Sequence, residues 1–122
     1  MEFLGKKRTI KVDTNYSQIE SIEKFWAEMT RSFPGTELLG LGTNWNNGAF
    51  DYYIGKIDEQ WTDELEAIDL PSDNWETYEC EDDSEVIEDM YRQVYMRGSL
   101  DFEVESIRDG IFTTKVHYLV NK

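Results

Sequence analysis

The chain has 122 residues, enough for one compact domain that buries a core without disulfides or structural metals. At 39% hydrophobic and 14% aromatic residues it is not a disordered segment. Its 26 acidic residues against 12 basic ones leave a formal charge of -14, a field that repels phosphates and attracts cations, so nucleic acid and anionic membrane are poor partners and no direct contact with either is expected.

Cys80 is the single cysteine, which rules out an intramolecular disulfide and a cysteine-based zinc site and fits a reducing cytoplasm. Residues Met1 to Lys11 carry Glu2, Lys6, Lys7 and Arg8 and have no signal-peptide core. No apolar run approaches the ~20 residues needed to span a bilayer. A soluble, cytoplasmic protein is expected.

In chain order, Phe3 to Val12 reads as a strand that the Asp13-Thr14-Asn15 cluster ends. Ser17-Gln18-Ile19-Glu20 matches a capping box, and Ile19, Ile22, Trp26, Met29 and Phe33 follow at helical spacing until Pro34-Gly35. Glu37 to Trp45 is a second strand, Asn46-Asn47-Gly48 a hairpin turn, and Ala49 to Ile57 the returning strand, with Tyr52 and Ile54 on one face and Tyr53 on the other. Residues 58–73 read as an acidic surface connector with a short helical turn near Glu64-Leu65-Glu66. Asn74 to Cys80 alternates as a strand. Glu81-Asp82-Asp83 then suits a helix N-terminus, with Ser84 or a neighbouring Asp as cap. Val86, Ile87, Met90, Tyr91 and Val94 form that helix's apolar stripe, and Gly98 stops it.

Ser99 to Val120 is the organising stretch. Alternation sets Asp101, Glu103 and Glu105 against Leu100, Phe102 and Val104, Asp109-Gly110 suits a two-residue turn, and Phe112, Val116, Tyr118 and Val120 continue the second arm. The order strand, helix, strand, turn, strand thus occurs twice. The expected fold is α+β: duplicated strand-helix-strand-strand units with pseudo-twofold symmetry, forming an antiparallel sheet with two helices and a cleft at the seam. It is one domain over residues 1–122, with half-repeats at about 1–57 and 74–122 joined by the connector.

Few residues offer covalent chemistry. Cys80 and the single His117 are 37 positions apart, Gly40-Leu41-Gly42 lacks the rest of a dinucleotide loop, and no calcium-loop pattern occurs, so no cofactor and no metal are expected. The aromatic residues say more. Rings with a carboxylate form the usual trap for a lipophilic cation, although many such rings also serve as ordinary core.

Several segments carry a resemblance: Phe3-Leu4-Gly5-Lys6 ahead of a helix containing Phe25-Trp26, then Phe50-Asp51-Tyr52-Tyr53-Ile54-Gly55, Leu70-Pro71 before Trp75-Glu76-Thr77-Tyr78, and Phe102-Glu103 after the second helix. In this order, over nearly the whole chain, they resemble the GyrI-like effector-binding family, which is similar to the drug-sensing part of AraC-type and MerR-type regulators. The resemblance implies a seam pocket where aromatics surround a buried glutamate. By position it assigns that glutamate to Glu103, the first-helix tryptophan to Trp26, and the tyrosine before the glycine to Tyr53. Trp45, Phe102, Tyr91, Tyr95 and Tyr118 complete the expected ligand-binding set. The chain departs from the family at Tyr95-Met96-Arg97-Gly98, where Trp-Leu-Pro is usual, and at Lys115 and Leu119.

Three functions follow as expectations. The first is a stand-alone binding module for cationic, hydrophobic small molecules, with no DNA-reading segment of its own, acting in transcription regulation through a protein partner, as a monomer or homodimer. The second is a hydrolase of reactive electrophiles, with Glu103 as general base and Tyr53 or Tyr118 as helpers. The third is an acidic protein inhibitor that mimics DNA toward an enzyme such as gyrase.

Overall fold

A computed structural model describes residues 1–12, 17–46 and 48–119. The elements are β1 (Glu2–Lys11), α1 (Ser17–Ser32), β2 (Leu39–Asn46), β3 (Ala49–Ile57), β4 (Glu66–Asp69), β5 (Glu76–Glu81), α2 (Ser84–Arg97), β6 (Leu100–Arg108) and β7 (Ile111–Tyr118). The strands form one antiparallel sheet of seven, ordered β4-β1-β3-β2-β6-β7-β5, and the fold is α+β. Read outward from the central β2–β6 pair, the order β2-β3-β1 matches β6-β7-β5, and β4 is an addition. The Asp13-Thr14-Asn15 stop, the side chain of Ser17, Asn47 and Val120 lie outside what the structure describes.

Two expectations need correction. Residues 58–73 are not only a surface connector, and no helical turn forms at 64–66. Glu66 to Asp69 instead pairs with β1, which needs an edge partner. The apolar stripe of α1 also differs: Ile19 is exposed, while Phe25 and Met29 are buried on Ile10, Phe50, Tyr52 and Ile54.

The link from β4 to β5 sets the curvature of the sheet. Six interstrand steps of roughly 4.8 Å would hold these edges roughly 29 Å apart in a flat sheet. The seven residue steps from Asp69 to Glu76 reach at most roughly 25 Å. The sheet therefore curls, and the link crosses its hollow. Leu70 and Trp75 pack there against Phe3, Leu41, Tyr53, Val104 and Phe102, and Trp75 Nε1 donates to the Pro71 carbonyl at 2.8 Å. Both helices lie on the outer face, α1 over β1 and β3, α2 against β5.

The last hairpin turns at Asp109 and Gly110, with φ of 53° and 76°. Its ladder shifts register between Leu100 and Phe102. This bulge divides the expected acidic face. Leu100, Glu103 and Glu105 face the helices, whereas Asp101 lies near His117, with Oδ2 to Nδ1 at 3.5 Å, beside Phe102 and Trp75.

Candidate functional site

Glu103 and Glu105 stand two residues apart on β6 and so project from the same side of the strand. Their neighbours on β2 are Gly42 and Gly40. These glycines provide the space: a Cβ on Gly40 would strike the Tyr52 hydroxyl, and one on Gly42 would stand 3.1 Å from Glu103 Cγ and 3.2 Å from Trp45 Cζ2.

Into that space point hydroxyls from three elements. Trp26 Nε1 on α1 donates to the Tyr52 hydroxyl at 2.9 Å, and Tyr52 on β3 donates to Glu105 Oε1. Tyr91 on α2 donates to Glu105 Oε2 at 2.9 Å, with Thr114 Oγ1 3.2 Å from the same hydroxyl. Tyr95 reaches Glu103 Oε2 at 3.4 Å and stacks on Tyr91, their centroids 5.6 Å apart. Half of Tyr95 faces solvent, yet its hydroxyl is turned inward.

Burial decides the charge state. Glu103 is 7% exposed, and loss of solvation, reinforced by the Glu105 charge, pushes its pKa up to about 8. Burial also raises Glu105, but the two tyrosine donors counter it. The two tyrosines, themselves desolvated and beside this carboxylate, hold their protons well above the usual phenol range and remain donors. Burial thus raises both acids, Glu103 further pushed by the neighbouring Glu105 charge, while only Glu105 has two tyrosine donors that favour its ionised form. Among the described residues no lysine, arginine or histidine forms an ion pair with either carboxylate.

A cavity of about 360 Å³ opens between α1 and the β6–β7 hairpin, lined by Glu23, Trp26, Leu38, Glu105, Ser106, Ile107 and Phe112. Glu105 lines it; Glu103 lies behind, next to Trp45 and Tyr95. The arrangement offers a carboxylate, an indole and aliphatic walls to a ligand. Among the described residues no group of three or more His, Cys, Asp or Glu side chains is placed to hold a metal ion. None of their helices is long and apolar enough to cross a membrane.

Of the residues singled out from the sequence, Glu103, Trp26, Tyr91 and Tyr95 converge here, and Trp45 flanks Glu103 while stacking on Phe50. Tyr53 and Phe102 do not: both pack in the hollow on the opposite face. Tyr118 is on the helix face, but its hydroxyl donates to the Val94 carbonyl at 2.9 Å and ties β7 to α2. Cys80 pairs with Phe112 and His117 with Phe102, so five positions along β7 separate them and they form no dyad. Lys115 is exposed on the face away from the carboxylates.

Tyr52, Glu105, Thr114 and Glu23 were not foreseen. Alternation could have found the first two: Tyr52 shares its face with Ile54, and a strand that buries Glu103 turns Glu105 the same way. Comparison of the chain with protein-family models, with curated proteins and with solved structures finds no match.

Proposed function

We propose that this chain binds lipophilic cationic small molecules in the cavity between α1 and the β6–β7 hairpin. One observation carries the reading: the Glu105 carboxyl stands on the wall of an apolar, aromatic-lined cavity, with tyrosine donors as its partners and no basic residue paired to it among the described residues. In its ionised form this acid lacks a counter-ion, and a guest cation supplies one and favours that form. The ring faces of Trp26 and Phe112 add attraction for the same guest. The short motifs that resemble GyrI-like domains point the same way. Glu103 as a general base is disfavoured, because it holds its proton below about pH 8 and stands behind the cavity wall.

Binding is expected to release a proton. A cation beside Glu105 also stabilises the anionic form of Glu103, so affinity rises as pH climbs from 6 toward 9 and levels off above that. A quaternary ammonium with an aromatic substituent, such as benzyltriethylammonium, keeps its charge throughout, so any pH dependence belongs to the protein. Titration followed by tryptophan fluorescence should saturate and strengthen with pH, and Glu105→Gln should lose most of the affinity. A fluorescence response that never saturates, or survives Glu105→Gln unchanged, would sink the reading.

A further inference from the structure

We propose that the cavity is built for dications: molecules with a positive charge at each end of an apolar spacer. This rests on the binding reading above and narrows its ligand class. Two acids from separate elements line the space. Glu23 stands on the exposed flank of α1, and Glu105 on the inner wall formed by β6. Glu23 and Trp26 are three residues apart on α1, so they present to the same side of the helix. Trp26, Leu38, Ile107 and Phe112 give the same cavity its apolar surface, with Ile107 59% exposed and open to cover by a ligand.

The charge count is unbalanced. Among the described residues no ion pair involves Glu23 or Glu105, and no lysine or arginine lines the cavity. Glu103 does not line the cavity and so is not one of its two acidic ends. A monocation seated on Glu105 leaves Glu23 unmatched. A second positive group at the other end of an apolar chain answers Glu23, while the spacer covers Leu38 and Ile107. The indole N–H of Trp26 is committed to Tyr52, so what Trp26 offers the ligand is its ring.

The full-length chain can be titrated at pH 7 and low salt with bis(trimethylammonium)alkanes of increasing spacer length, and in parallel with the matching alkyltrimethylammonium monocations. The dications should bind about fivefold more tightly at the best spacer length, the scale of one solvent-accessible ion pair, and the gain should shrink as salt is added. Glu23→Gln should bring the ratio between the two series to about one. Glu20→Gln, which removes an exposed acid paired with Lys24 outside the cavity, should leave the ratio at its original value. Equal affinities for the two series, or a ratio that survives Glu23→Gln, overturns the dication proposal while monocation binding still upholds the cavity reading. No saturable binding of either series overturns both.

Discussion

Glu103 makes the stability of the fold depend on pH. Its folded pKa of about 8 lies above the ordinary 4.5, so between these values the folded chain holds a proton that the unfolded chain has lost. Its contribution is fully present below about pH 4.5, falls as pH rises through the window, and is gone above about 8. Glu103→Gln keeps an acceptor for Tyr95 and removes the titration. Since one pK unit is about 1.4 kcal/mol, the variant should be more stable than the parent at pH 8 by on the order of a few kcal/mol, with little difference near pH 4. Urea unfolding across pH 4–9 measures this, and parallel stability curves for the two proteins would contradict it.

Among the elements, α2 starts on a well-formed local cap. Asp83 is extended, at φ -138° and ψ 128°, and its side chain accepts from the amides of Glu85 and Val86 at 3.0 and 3.3 Å. These satisfy two of the free amides at the helix start, and the acid also suits the helix dipole. Asp83→Ala should cost about 1 kcal/mol, read as a shift in the urea midpoint with an unchanged slope. Because α2 carries Tyr91 and Tyr95, their fluorescence should respond over the same transition. The β6 bulge is the other decisive feature at this scale. Without its register shift Leu100 would share a face with Phe102, and the carboxylates would keep Asp101 beside them.

For the molecule as a whole, the crossing from β4 to β5 holds the curl. Leu70 is 5% exposed beneath the sheet, packed with Phe3, Leu41, Tyr53 and Val104. Leu70→Ala should destabilise the fold by about 2–5 kcal/mol, the range for a buried leucine that leaves a cavity. Thermal unfolding would test it, and a cost below 1 kcal/mol would mean that the crossing is a passive tether. Net charge acts at this scale too. At -14 the chain repels itself and draws cations toward it, which raises the association rate of a cationic ligand at low salt.

The sequence by itself determined the elements whose causes are local. Periodicity placed two helices and most strands, Asp109-Gly110 marked its own turn, and the acidic run ahead of Ser84 supplied the cap. It also placed a glutamate among rings, through the Phe102-Glu103 motif. What it could not determine depends on contacts between distant segments. β4 is a strand because β1 offers an edge sixty residues earlier, not because Glu66-Ala67-Ile68-Asp69 has a marked pattern. Tyr52 rather than Tyr53 meets the carboxylates because α1 covers one face of β3 and the β4–β5 crossing the other, and aromatic character is the same on both. Glu105 lines the cavity and Glu103 does not, although both share one face of β6, because the cavity exists only once α1 has packed beside the β6–β7 hairpin.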